Sequence, residues 1–205
     1  MGKNRIEAFS DGVFAIAITL LVLNINNPDL IKASITSTLI RLYPNILAYI
    51  LSFMTIGVYW VAHHTMIHFV RTIDRTALWI NNLTLLFIAF MPFPTLLISW
   101  HYNDPIATTI YCLTLSMTNL TGSWFWWYVS KNSRHIEEGL SGKFIHRILV
   151  VHLCPIAIYV LAICFSFYSI YISYFLIALV PAFFILSNPL INKILLIDKT
   201  DRPWK

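Results

Sequence analysis

The side chains best suited to chemistry are polar groups at the ends of apolar segments. Arg5, Ser10 and Asp11 come directly before the first apolar run of the chain. A histidine group closes the second apolar run and consists of His63, His64 and His68. An ionisable group within a membrane is costly and usually faces a bundle interior or a water-filled path. These residues therefore indicate an internal polar network, a proton relay or an ion pathway.

The histidines permit a metal site as well as a hydrogen-bonded network. His64 and His68 are four residues apart and share one helix face, and histidines at this spacing can bind zinc. No Glu, Cys or Asp lies near them in sequence to complete a ligand set, so we expect no structural metal. Asn81 and Asn82 open the third apolar segment at the same membrane level. They are candidate hydrogen-bond partners for the charged residues of the first segment.

Residue types that support catalysis are scarce in this chain. It holds nine Asp and Glu residues, of which we place Asp11 alone within the membrane. The sequence has no Gly-rich phosphate loop, no nucleophile beside a partner base, and three isolated cysteines without metal or redox spacing. We therefore expect no enzymatic activity and no cofactor. A membrane metalloenzyme built on His64 and His68 is the catalytic alternative, and it predicts stoichiometric bound metal.

The composition is that of a protein embedded in the lipid bilayer. Of the 205 residues, 58% are hydrophobic and 11% are charged, whereas soluble domains carry about 25% charged residues. The apolar segments predict an all-α fold, a single bundle of six membrane-spanning helices. Pro92 and Pro94 should kink the third helix, and residues 29–43 should form an amphipathic connector on the membrane surface. The predicted spans are residues 6–25, 44–69, 77–100, 105–128, 143–166 and 171–190.

The basic residues predict the orientation of this bundle. An even number of spans places both termini on one side of the membrane. Twelve of the 14 basic residues fall on that side, and Lys32 and Arg41 fall opposite. The positive-inside rule then places both termini in the cytoplasm, in a multi-pass protein of the cell inner (plasma) membrane. Because the charge follows topology, the net charge of +5 gives no reason to expect a nucleic-acid partner.

The first helix has an unusual length for a membrane span. Its purely apolar part, 13–23, has 11 residues, whereas a span needs about 20, so Asp11 must enter the membrane. Ile16, Leu20 and Leu23 stand at i, i+4 and i+7 and form one stripe, with Thr19 beside it. The stripe is either an ordinary core or lipid contact, or the lining of a pore.

The start of the first helix carries a recognisable motif. Arg5, Phe9, Ser10 and Asp11 form the pattern Arg-x-x-x-Phe-Ser-Asp, which is followed by Gly-Val-Phe-Ala-Ile-Ala-Ile-Thr-Leu-Leu-Val-Leu. This stretch resembles the signature of the bacterial relatives of transmembrane protein 175, the lysosomal potassium channel. The resemblance implies a homotetramer, with four copies of the first helix around the axis of a potassium-permeable cation channel in the lipid bilayer. We expect this channel to be leak-like, since the sequence has no row of regularly spaced arginines to serve as a voltage sensor.

The resemblance also implies roles for single residues. Ile16, Leu20 and Leu23 would form a hydrophobic constriction that acts as gate and filter, with Ile16 at the tightest ring. Thr19 would meet permeant K⁺ in transit, since the pore conducts monovalent cations. We expect the motif and its partners to form one pore-organising network. Its expected members are Arg5, Phe9, Ser10, Asp11, His63, His64, His68, Asn81 and Asn82.

Two further functions stay open at this point. A proton-coupled secondary transporter would use Asp11 with His63, His64 and His68 as a relay. Such carriers usually contain inverted repeats, which this sequence does not display. A scaffold without transport activity is the other alternative.

Overall fold

The computed structural model describes residues 3–25, 34–131, 135–137 and 139–200, with side chains up to residue 187. Apart from an isolated antiparallel bridge between Val70 and Ile136, all regular structure in these residues is helical. The helices are α1 (Lys3–Leu20), which continues as a 3₁₀ turn (Leu21–Ile25), α2 (Ile35–His68), α3 (Arg75–Phe90), α4 (Pro92–Trp100), α5 (Pro105–Ser130), α6 (Gly142–Ser166) and α7 (Ile170–Thr200).

Short polar side chains fix where four of these helices begin. An N-cap side chain accepts a hydrogen bond from a backbone N–H that has no partner within the helix. The Asp74 carboxylate accepts from Ala77 N at 2.8 Å, and the Asp104 carboxylate accepts from Ile106 N at the same distance. Ser34 and Ser141 cap α2 and α6 in the same way. The sequence therefore sets these boundaries locally, before any packing between helices.

The second helix is longer than predicted. It begins at Ile35, nine residues before the predicted start at Pro44, and Pro44 lies inside it. The expected surface connector is therefore helical from Ile35 onward, while residues 29–33 lie outside the described chain. The physical reason is the Ser34 cap, which starts the helix early. Pro44 then removes one backbone N–H from the hydrogen-bond ladder without ending the helix.

The third predicted span is broken rather than merely bent. Helix α3 ends at Phe90, and α4 starts at Pro92, with Met91 between them. Pro92 and Pro94 have no backbone N–H group, so the backbone hydrogen bonds of the helix are interrupted here. This is the cause on which the predicted kink was based. At the same place, the Pro92 carbonyl accepts a hydrogen bond of 2.8 Å from Asn24 Nδ2. This bond ties the break to the end of the first helix.

Within the described residues, five segments are long and apolar enough to cross a membrane. They are Lys3–Ile25, Ile35–His68, Arg75–Trp100, Gly142–Ser166 and Ile170–Ser187. Helix α5 has 26 residues but is richer in Thr, Ser and Asn, and it packs mainly against α3 and α6. Several of its polar side chains are buried and donate hydrogen bonds back to carbonyls of the same helix. The residues that do so include Thr114, Thr118, Thr121 and Ser123.

Candidate functional site

Helix α1 presents two very different faces. One face is buried against the rest of the chain and consists of Ile6, Ser10, Phe14 and Ala17, continued by Leu21. The predicted stripe lies elsewhere on the helix surface: Ile16 is 60% exposed, Leu20 41% and Leu23 66%. A core role for this stripe within one chain is therefore excluded. These side chains meet either lipid or another subunit.

Thr19 lies on the exposed side of α1, next to this stripe. Its hydroxyl lies 2.9 Å from the Ala15 carbonyl oxygen and 3.0 Å from that of Ile16. Since a carbonyl only accepts, the Thr19 hydroxyl donates its proton back to the helix. The lone pairs of its oxygen are left to accept from a donor or to face a cation.

Two polar contacts join α1 to α2, one helical turn apart on each helix. Glu7 Oε1 lies 3.4 Å from His64 Nδ1, and Asp11 Oδ1 accepts a hydrogen bond of 2.9 Å from Trp60 Nε1. Glu7 and Asp11 are four residues apart, as are Trp60 and His64, so both pairs lie on single helix faces. The two helices therefore run antiparallel in register. Sequence reasoning selected neither Glu7 nor Trp60, although their matched spacing was available as a signal.

A third contact group connects α1, α2 and α3 in the protein interior. Asn81 Nδ2 donates to Ser10 Oγ at 3.3 Å, and Asn81 Oδ1 lies 2.8 Å from His63 Nε2. Because the amide oxygen only accepts, His63 Nε2 carries the proton of this bond. All three side chains are buried, and the His63 ring lies 5.5 Å from that of Phe14. The group fixes the rotation of α1 about its own axis.

The remaining predicted network members lie outside these contacts. The side chains of Arg5 and Asn82 are exposed, and within the described chain neither forms a hydrogen bond or ion pair. Phe9 is 57% exposed, and it shares the exposed side of α1 with Ile16. His68 contributes its backbone carbonyl, which accepts from Lys3 Nζ at 2.8 Å. The structure thus assembles Ser10, Asp11, His63, His64 and Asn81, and leaves the other four facing outward or bonded through the main chain.

The far end of α1 is held by a second polar group. Asn45 Nδ2 lies 3.2 Å from the Asn24 carbonyl oxygen and 3.3 Å from Ser99 Oγ. Asn24 in turn donates to the Pro92 carbonyl at the break between α3 and α4. Asn45 and Ser99 are both buried, and neither was selected from the sequence. Helix α1 is therefore clamped at both ends by side chains of its own chain.

Residues 5–92 match the sequence profile of the family described as "Endosomal/lysosomal potassium channel TMEM175". A potassium channel of Chamaesiphon minutus is 33% identical over 175 residues, which cover 82% of this chain and 86% of the relative. The chain belongs to this family. A potassium channel of a Chryseobacterium species is 34% identical over 189 residues, covering 88% of this chain and 92% of the relative.

The three-dimensional structure of the chain is also similar to that of a TMEM175 homologue. The crystal structure of a lysosomal potassium-selective channel TMEM175 homologue from Chamaesiphon minutus superposes with a TM-score of 0.78 and 30% identity. The superposition covers 90% of this chain and 96% of that one. This chain is accordingly a multi-pass membrane protein of all-α fold. The resemblance inferred from Arg5, Phe9, Ser10 and Asp11 is confirmed.

Family membership also bears on the catalytic and metal alternatives. TMEM175 proteins are named as channels, which are not enzymes, so the prediction of a non-enzyme is confirmed. Among the residues that the structure describes, no group of three His, Cys, Asp or Glu side chains comes together to hold a metal. His64, half of the suggested zinc pair, is engaged with Glu7 instead.

Proposed function

We propose that this chain forms a potassium-permeable, leak-like cation channel whose pore is lined by α1. The observation that carries the proposal is the exposed apolar stripe of Ile16, Leu20 and Leu23. It stands on a helix whose other side is fixed to α2 and α3 by polar contacts. A helix locked in this rotation presents the same residues outward in every copy of the chain.

Several copies are needed, because one α1 helix encloses no pore. Closed cyclic symmetry is the usual arrangement of membrane and soluble oligomers, and we propose a homotetramer with four α1 helices around its axis. Gly12 supports this arrangement, since a side chain added there would meet no atom within 4 Å in the single chain. The exposed surface beside Gly12 is therefore open to a neighbouring subunit.

The membrane arrangement that we propose has six crossings. Helix α5 is the sixth, since its 26 residues extend about 39 Å and the hydrocarbon core of a bilayer measures about 30 Å. With six crossings, the distribution of basic residues supports placing both termini in the cytoplasm, with the protein in the cell inner (plasma) membrane.

The conducting path follows from the chemistry of the stripe. Rings of Ile16, Leu20 and Leu23 form a hydrophobic constriction, which gates by dewetting rather than by charge. Ile16 forms the tightest ring. The Thr19 oxygen meets K⁺ in transit, and the channel has no resident cofactor. The Asp11 and His63 contacts hold α1 in the rotation that turns the stripe toward the tetramer axis.

Ion flux through the purified protein in liposomes tests this proposal, first under a potassium gradient and then under a sodium gradient. The test variant is Ile16→Asn, which places an amide in the constriction. The control is Leu161→Asn, since Leu161 is 50% exposed on α6, which packs against α5 and α7. We expect wild type to prefer potassium, Ile16→Asn to pass more of both ions, and Leu161→Asn to match wild type.

Other outcomes select other functions. Unchanged flux in a folded Ile16→Asn protein would remove α1 from the pore. Saturable uptake driven by a pH gradient, in place of passive flux, would favour the proton-coupled carrier that uses Asp11 and the histidines. If neither wild type nor Ile16→Asn passes any cation, the scaffold without transport activity would be the remaining function.

A further inference from the structure

Two loops pack together at the end of α2. One loop links α2 to α3, and the other links α5 to α6. Arg71 N donates to the His135 carbonyl at 2.7 Å, and Glu137 N donates to the Phe69 carbonyl at 3.0 Å. These bonds lie on either side of the isolated antiparallel bridge. The conduction path proposed above uses none of these residues, so the contact between the loops needs an explanation of its own.

The imidazole of His135 is buried at this contact. Its Nδ1 lies 3.1 Å from Thr72 Oγ1, and its Nε2 lies 3.4 Å from Asp74 Oδ2. The ring stacks on that of Tyr128 from α5, with the ring centres 6.1 Å apart and the planes 18° apart. One side chain of the α5–α6 loop therefore contacts the α2–α3 loop, the start of α3 and the end of α5.

The Asp74 carboxylate is the charged group that faces this ring. Its Oδ1 accepts from Ala77 N as the cap of α3, and its Oδ2 accepts from Tyr128 Oη at 2.8 Å. The Asp74 side chain is 31% exposed, so solvent reaches the edge of the pair. Charges exposed to solvent act weakly on a buried ring, because water and salt screen them. The other charged or titratable side chains described on these loops and helix ends are exposed: His68, Arg71, Arg75, Lys131, Glu137 and Lys143.

Protonation changes what the His135 ring offers to its partners. In a neutral imidazole one nitrogen donates and the other accepts, whereas in the charged ring both nitrogens donate. The Thr72 hydroxyl can take either role, but the Asp74 carboxylate only accepts. Nε2 is buried and forms no aligned hydrogen bond within the described chain. Its contact with Asp74 therefore depends on charge attraction, which exists only when the ring is protonated.

We propose that His135 and Asp74 form a pH-sensitive clasp between the two loops. Histidine is the side chain that ordinarily changes charge between about pH 5 and 8. At the acidic end of this range the charged ring attracts the carboxylate and holds the loops together. As the pH rises, the ring loses its proton and the pair loses this attraction. The clasp is therefore tight in acid and looser in alkali.

The clasp holds the end of α2 to which the start of α1 is attached. Lys3 Nζ of α1 donates to the His68 carbonyl at 2.8 Å. The carbonyl of the next residue, Phe69, accepts from Glu137 N on the other loop. A tighter clasp thus fixes the part of α2 that bonds to α1. Any effect on conduction rests on the proposed function, whereas the clasp itself does not.

Hydrogen exchange of the purified wild-type protein at pH 6 and pH 8 tests the clasp. Exchange times are scaled so that intrinsic exchange is equal at the two pH values, and peptides covering residues 67–74 report on the loop. The control is the turn between α6 and α7, where Ser169 N donates to the Phe165 carbonyl at 2.7 Å and residues 165–171 contain no His, Asp or Glu. We expect several-fold stronger protection of 67–74 at pH 6 and no change in the control. Equal protection of 67–74 at both pH values would overturn the proposal.

Two variants then test which groups form the clasp. His135→Gln keeps a hydrogen-bonding side chain that does not titrate, and Asp74→Asn keeps a good cap for α3 without the charge. Each should abolish the difference between pH 6 and pH 8, and a difference that persists in either folded variant would refute the pair. If a variant does not fold, the wild-type comparison still decides whether the contact tightens in acid. Failure here is separable from failure of the channel proposal, because ion flux is not part of the readout.

Discussion

The carboxylate of Asp11 and the indole of Trp60 form a direct hydrogen bond of 2.9 Å between α1 and α2. Asp11 is the carboxylate that the length of the apolar run led us to expect within the membrane. Its partner is a neutral donor, so the negative charge is oriented rather than cancelled. Such a bond positions α1 without a buried ion pair, whose desolvation would be costly.

Trp60→Phe should loosen the attachment of α1. The variant keeps an aromatic ring of similar shape but removes the Nε1 donor, leaving Asp11 without this partner. Because Trp60 is 41% exposed, we expect a loss of about 1 kcal/mol in unfolding free energy, which is below the ~1.5–3 kcal/mol typical of bonds to charged groups. The measurement is thermal unfolding in detergent. Trp79→Phe is the control, since Trp79 is 66% exposed on α3; equal losses in both variants would refute the assigned role.

Substitution by leucine should lower the stability of the protein strongly at Asn81 and hardly at all at its neighbour Asn82. Asn81 is 1% exposed and joins Ser10 to His63, so Asn81→Leu strands two buried polar groups. We expect this variant to lose about 2 kcal/mol of unfolding free energy. Asn82 is exposed, and Asn82→Leu should stay within about 0.5 kcal/mol of wild type. Chemical unfolding of both variants in the same detergent makes the comparison, and similar losses would contradict the network.

The sequence was sufficient to predict an all-helical fold and polar partners for the start of α1, but not the division of the third span into α3 and α4. Apolar run lengths predict helices, and the excess of polar residues at the start of α1 predicts internal partners. The boundary at Ile35 was missed because Pro44 is a strong signal and Ser34 is a weak one. A cap that starts a helix early outweighs a proline that removes one hydrogen bond.

Which residues bond to each other within the site was harder to predict than which residues belong to it. Asp11 was expected to bond to a histidine or asparagine, yet Trp60 is its partner. Which residue of α2 faces Asp11 depends on the register of two antiparallel helices, which is set by packing along their whole length. The matched spacing of Glu7 and Asp11 with Trp60 and His64 is compatible with that register but does not by itself select it.

Thr19→Val should separate selectivity from conduction. Valine has the shape of threonine without the hydroxyl, so the α1 surface keeps its form but loses the oxygen that we place beside the permeating ion. We expect the preference for potassium over sodium to fall while total cation flux is retained, since Ile16 still forms the constriction. The measurement is flux in liposomes under the two gradients separately.

Thr65→Val supplies the matched control for this experiment. The Thr65 hydroxyl also donates to a carbonyl of its own helix, that of Val61 at 2.8 Å, but it belongs to α2. Its removal should leave both flux and selectivity as in wild type. A fall in selectivity in both variants would reflect a general loosening of the helices. Unchanged selectivity in Thr19→Val would mean that the hydroxyl beside the stripe does not contact the ion, and that the preference arises at the constriction itself.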